Sequence, residues 1–207
     1  VLAEASRERS PTRGEVRVRN AALLVSGVVV PVGVFLGWGG TRSAPRPASL
    51  IVETASGAAA VALTALVVAV GRGRSMLGRT GTALLAVAVL TPIVLFAWKV
   101  GVSSLYPGMM VQWPERAGFR CLWLSCQTAA WPLVAIAMTR RGTDPTHPGL
   151  TGVAIGAAVG ACSWVLVDLW CPVAYVPHLL LGHLLPLLAC TVAGYFLVGR
   201  VVKLGGR

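Results

Sequence analysis

The sequence predicts an all-α protein, an integral membrane bundle of six transmembrane helices with both termini on the cytoplasmic side. Three observations carry that reading. The 207 residues are 56% hydrophobic and only 12% charged, whereas soluble domains carry about 25% charged residues. The apolar residues gather into six runs, each near the roughly 20 residues needed to cross a hydrocarbon core. Lys and Arg crowd the loops on one side of those runs, as the positive-inside rule requires.

The runs are predicted in order at Ala21–Gly39, Ser49–Val70, Thr82–Ser104, Gly118–Met138, Gly149–Trp170 and Tyr175–Val198. The first has an apolar core too long for a secretory h-region, so it reads as a retained helix. Helix two opens after the breaker "TRSAPRP", and helix three after "GRGRSMLGRTG". Helix four follows "YPGMMVQWPE", helix five follows "RRGTDPTHP", and helix six follows "CPVAYVP". Gly and Pro in such clusters end regular structure. Runs of this length must be helical, because backbone groups in hydrocarbon need partners within their own segment. Pro31, Pro92, Pro132 and Pro186 fall inside spans and predict kinks or freed carbonyls. Gly152, Gly156 and Gly160 repeat every fourth residue on helix five, a groove for close approach of another helix.

This divides the chain into a cytoplasmic tail over residues 1–20, a six-helix domain over 21–200 and a short cytoplasmic tail over 201–207. The opening "VLAEASRER" reads like the end of a helix begun upstream, so the tail is expected to be truncated. Eighteen basic and seven acidic residues give a formal charge of +11. In a soluble protein that excess would point to nucleic acid. Here thirteen of the eighteen cations fall on the inner side, around Arg7–Arg19, Arg72–Arg79, Arg140–Arg141 and Arg200–Arg207. Membrane topology accounts for the charge, and no direct nucleic-acid contact is expected. Aromatic residues lean the other way: Trp38, Trp98, Tyr106, Trp113, Trp123, Trp170 and Tyr175 lie near the outer boundary, where such rings anchor helices.

Ionisable residues within spans are costly and are candidates for function. Glu53 and Lys99 lie about one turn below the outer ends of helices two and three, which makes them a candidate ion pair. The middle and inner halves of the spans hold no further charge, which argues against an ion path. The same outer layer collects Arg120 and Cys121 on helix four, Asp168 and Cys171 at the end of helix five, and His178 and His183 on helix six. Five residues apart, the two histidines point about 140° apart on a straight α-helix, so they are not automatic co-ligands. Cys121 and Cys171 form the best redox pair, because both reach an outer boundary where a disulfide persists if the Cα atoms come within about 7 Å. A nearby Arg120 or protonated His178 would favour thiolate. Cys126, Cys162 and Cys190 read as small apolar core residues. A zinc or copper site using Cys121, Cys171 and His178 is chemically open, although no diagnostic ligand spacing appears. The chain has no HExxH, GxSxG or P-loop pattern and no acidic pair suited to general acid–base work, so an enzyme is not expected.

The second half, from Arg120 to Pro186, resembles the NrsF family, the negative regulators of sigma F. The resemblance rests on Arg120-Cys121-Leu122 opening helix four, Pro132-Leu133 within it and Arg140-Arg141 closing it. Pro148 then precedes the Gly-rich helix five, Cys171-Pro172 ends it, and a last helix begins with a histidine. About ninety residues carry these elements, and the first half matches as hydropathy. The family's His-Cys-Pro-Glu pattern reads Trp170-Cys171-Pro172-Val173 here, which leaves His178 and His183 as sources of the missing imidazole. The resemblance implies a six-span anti-sigma factor of the bacterial inner membrane. It would sequester an extracytoplasmic-function sigma factor at the cytoplasmic face. In that family the cysteines matching Cys121 and Cys171 are implicated in signal response, so an outer thiol-redox or metal signal is expected to release the sigma factor. Two alternatives use the same residues. One is a small membrane oxidoreductase or metal-binding protein built on the outer Cys/His layer; the other is a structural subunit whose helix five packs against partners.

Overall fold

The computed structural model describes residues 12–42, 46–71, 80–107, 117–141 and 146–203. Its regular elements are α1 (Arg13–Gly37), α2 (Ala48–Val70), α3 (Gly81–Ser104), α4 (Phe119–Thr139) and α5 (Pro148–Trp170), followed by a composite α6. In α6 the α-helical pieces Val176–Leu179, Leu185–Ala193 and Gly199–Lys203 are joined by π turns at Leu180–Leu184 and Gly194–Val198. Six helices are long and apolar enough to cross a membrane, and no strand occurs among the described residues. Helices two to five begin and end within one residue of the predicted bounds. The first does not, because it begins eight residues earlier, at Arg13. Thr12 Oγ1 accepts the Glu15 N–H at 3.3 Å, and the Glu15 carboxylate accepts the Thr12 N–H at 2.6 Å. This capping box starts the helix within the predicted tail, so residues 13–20 are a helical extension. The opening "VLAEASRER" lies outside the described residues, as do Arg72, Arg74, Arg79, Trp113, Arg116 and Arg207.

The outer surface is as apolar as the core, unlike that of a water-soluble bundle. Val25 and Val28 on α1 and Leu63 and Val67 on α2 are all more than 60% exposed, a pattern that suits hydrocarbon and not water. Helix α5 is the core of the bundle, with 72% of its most apolar stretch buried against 11% for α1. It packs against α2, α3, α4 and α6, whereas α1 leans mainly on α4.

The glycine stripe of α5 explains how α6 reaches it. A Cβ on Gly152 would lie 2.3 Å from the Gly194 carbonyl oxygen, and one on Gly156 would lie 2.2 Å from that of Cys190. The two backbones therefore touch, and close van der Waals packing takes the place of a hydrophobic drive that lipid cannot supply. The groove expected to receive another helix is filled by the chain's own α6. Thr128 and Ser163 hydroxyls meet at 2.7 Å across the α4–α5 contact, and Ser163 also donates to the Ser125 carbonyl at 3.0 Å.

Consecutive helices alternate in direction. Arg140 at the end of α4 donates to the Val70 carbonyl at the end of α2, and Gly81 at the start of α3 abuts His147 and Leu150 at the start of α5. The other end gathers the last turns of α1, α3 and α5 with the first turns of α2, α4 and α6. It holds every candidate site residue named from the sequence.

Candidate functional site

The site is built where α5 stops and the chain turns back. Cys171 caps α5, its N–H bonding the Val167 carbonyl at 2.7 Å. Pro172 lacks the N–H to continue the helix. The chain then runs without regular structure to Tyr175, and α6 begins at Val176. Across from it, Gly118 caps the start of α4 with φ +77°, a conformation that costs glycine nothing. A Cβ at Gly118 would also meet the Gly182 nitrogen and the His178 carbonyl oxygen, both at 3.1 Å. Glycine is required there twice, for backbone angle and for contact. Cys121, within the first turn of α4, is thereby pressed against α6.

Four side chains converge in this fold. The Cys121 and Cys171 sulfurs lie 3.3 Å and 3.1 Å from the same atom, His178 Nε2. The His183 ring stands 5.8 Å from that of His178, centroid to centroid, and 5.2 Å from Trp164 in edge contact. Potential ligand atoms of Cys121, Cys171, His178 and His183 all lie within 4.8 Å of one another, and all four residues are buried. Both cysteines are free thiols.

The π turn reconciles the histidine spacing with this convergence. Leu185 N–H bonds the Leu180 carbonyl, five residues back, which widens the turn so that residues five apart share a face. Pro186 contributes by omission, since it has no N–H for the Gly182 carbonyl four residues back. Ser125 Oγ on α4 donates to that carbonyl at 3.3 Å. The straight-helix expectation of divergent histidines is thus corrected.

Charged residues form a second tier. Lys99 is paired with Asp168, both side chains at least 96% buried. The predicted Glu53–Lys99 pair does not form. Glu53 lies on the exposed face of α2, where its carboxylate accepts the Tyr106 hydroxyl at 3.3 Å, while Lys99 faces inward to the end of α5. Equal depth placed these charges correctly, but helix rotation assigned the partners. Arg46, unremarked in the sequence beyond its loop, is buried; it donates to the Asp168 carbonyl at 2.7 Å and the Leu169 carbonyl at 2.6 Å. It satisfies the last carbonyls of α5 with a cation, as the helix dipole favours. Burial pulls Arg46 below its ordinary pKa, and the Asp168 charge opposes that shift. Cys171, between the two spans, is held well below the ordinary thiol range. Its close contact with Cys121 is the main cause, and desolvation by burial acts against it.

Arg42 lies over the Trp170 ring at 4.2 Å. Trp170 in turn donates to the Trp38 carbonyl at 2.9 Å and meets the Trp38 ring edge-on. These two tryptophans therefore tie α1 to α5 as well as sitting at a boundary. Arg120 is exposed and, with Arg42, Cys121, Cys171 and His178, lines a cleft of about 450 Å³ that leads to the sulfurs. Cys162 and Cys190 are half-buried, whereas Cys126 is exposed on the outer surface of α4, not in the core. Because Gly182 would place a Cβ 2.9 Å from Cys121 Cβ, Gly182→Val is expected to lever α6 off α4. Alkylation of Cys121 by a maleimide should speed up about tenfold, equivalent to about 1.4 kcal/mol of easier local opening. Mass spectrometry of the detergent-solubilised protein reads this out, and an unchanged rate would contradict the shielding role of the contact.

Fold and site together define a class: a six-helix protein of membrane-spanning dimensions with a buried thiol–imidazole cluster at one end of its bundle. The family model described as NrsF, negative regulator of sigma F, matches residues 5–203. The chain belongs to that family, whose description makes its members negative regulators of a sigma factor. No curated protein and no solved structure gives a match. The match covers the first half of the chain as well as the half whose motifs carried the resemblance.

Proposed function

We propose that this protein is a multi-pass inner-membrane anti-sigma factor that holds an extracytoplasmic-function sigma factor at the cytoplasmic face and releases it on a signal received by Cys121 and Cys171. The family match over nearly the whole chain carries this reading. The arrangement of the bundle supports it, since the thiols lie at one end and Arg17, Arg19, Arg140, Arg141 and Arg200 belong to the opposite helix ends. With that basic end inside, the thiols face an oxidising compartment. Signal chemistry at the site would be two-electron oxidation of the two thiols by a peroxide-class oxidant, forming a disulfide and water, or capture of the thiolates by a soft metal.

Cys121 belongs to α4, Cys171 to the end of α5, and His178 to α6, so either event biases how three helices meet. A signal moves a two-state bundle only by its differential affinity, and a swing from 1:99 to 99:1 takes about 5.5 kcal/mol. Metal ligation exceeds that scale, and a disulfide, typically worth about 2–4 kcal/mol, covers most of it. Co-purification with extracytoplasmic-function sigma factors of the same organism, with and without oxidant, tests the reading. Retention by the reduced full-length protein is the expected result, and no retention would overturn it. Cys121→Ser and Cys171→Ser are expected to abolish release by the inducer, whereas Cys162→Ser should release normally. Equal behaviour of the three variants would refute the site.

A further inference from the structure

We infer that Cys121, Cys171, His178 and His183 constitute a four-ligand site for a tetrahedral d10 metal ion of the zinc(II) or copper(I) kind. The inference deepens the signal site proposed above and rests on that reading for its regulatory meaning. Geometry comes first. Zinc bonds of about 2.3 Å to sulfur and 2.0–2.1 Å to nitrogen place the donors of a tetrahedron about 3.3–3.8 Å apart. Here the two sulfurs already lie 3.3 Å and 3.1 Å from His178 Nε2, and all four donors fall within 4.8 Å of one another. Small side-chain rotations complete the shell, with no helix required to move.

The unmet polar groups point the same way. His183 is 2% exposed, and neither ring nitrogen has a partner of hydrogen-bonding geometry. A buried unsatisfied polar group costs about 1–3 kcal/mol, and native structures rarely tolerate one without a reason. The π turn is a second indication, since it brings His183 onto the His178 face, where an ordinary helix would turn it away.

Donor chemistry selects the ion. Two thiolates and two imidazoles exclude the oxygen-seeking calcium and magnesium. With zinc(II) the assembly is neutral, which suits a site of this burial. With copper(I) it carries one negative charge, and Arg42 at the mouth of the cleft lies where it can offset that charge. An ion so held would clamp α4, the end of α5 and α6 to one another, because each contributes at least one ligand.

Purified full-length protein in detergent tests this by titration with zinc(II) against a competing chelator, and separately with copper(I) under anaerobic conditions. Cobalt(II) substitution reports on the coordination geometry. One ion per chain is expected, with the intense visible bands of tetrahedral cobalt and a thiolate charge-transfer band. His183→Gln should weaken binding at least tenfold and Cys162→Ser should not, with both variants eluting as the parent does on size exclusion. Tight binding of either ion with this dependence supports the site, and the two titrations identify which ion it prefers. Failure of both ions to bind stoichiometrically, or an affinity unmoved by His183→Gln, overturns it. Retention of the sigma factor is measured on the same preparations. A chain that holds the factor but binds no ion removes the metal site alone, and one that binds the ion but no factor removes the anti-sigma reading alone.

Discussion

Lys99→Met is expected to cost this protein about 3–5 kcal/mol, the penalty for leaving a buried charge without its partner. Asp168 would then face the core without its ion-pair partner, with only the Arg46 cation, whose hydrogen bonds go to the Asp168 and Leu169 carbonyls, to offset its charge. Asp168→Leu alone should cost about as much for the same reason. The double variant Lys99→Met/Asp168→Leu is expected to recover most of the loss, because an apolar pair of similar size needs no desolvation. Fluorescence-detected size exclusion after stepped heating would measure all three. A double variant no better than the singles would show that the pair supplies more than mutual neutralisation. The result also bears on signalling, because Asp168 lies three residues before Cys171 and Lys99 belongs to α3. The ion pair carries the position of the thiol to a helix that contributes no ligand.

Gly156→Leu is expected to be among the most damaging single changes in the bundle. Even a Cβ at that position would lie 2.2 Å from the Cys190 carbonyl oxygen, with the Thr191 Cα at 2.9 Å. Neither atom belongs to a flexible side chain, so α6 must move bodily away from α5. Overpacking usually costs about 1–3 kcal/mol; with only backbone to yield, this substitution should exceed that range and abolish the monodisperse protein. Gly101, with nothing within 4 Å of its Cβ position, supplies the control, and Gly101→Leu should run as the parent does. If both variants behave alike, the close α5–α6 approach is not what holds the helices together.

The sequence by itself determined the six spans, their order and most of their bounds. Hydrophobic run length and breaker clusters are local properties, and the bilayer leaves the backbone no alternative to helix. It also assigned Cys121, Asp168, Cys171, His178 and His183 to one layer, since alternating spans fix depth without fixing rotation. The Thr12–Glu15 capping box is likewise a local pattern, and it marks the start of α1 at Arg13.

Rotation and side-chain partnering were decided only by the tertiary structure. In a chain that is apolar both inside and outside its bundle, hydropathy does not mark the buried face of a helix. Equal depth alone therefore suggests Glu53 for Lys99, although Glu53 faces outward and Lys99 meets Asp168. For the same reason the sequence does not distinguish Cys126, which is exposed, from a core residue. The histidines needed more than rotation. Their convergence depends on a π turn, with Pro186 withholding an N–H and Ser125 of α4 supplying the replacement donor. That exchange is a contact between helices about sixty residues apart in the chain, beyond the reach of any local pattern, and it is what joins His183 to the two thiols.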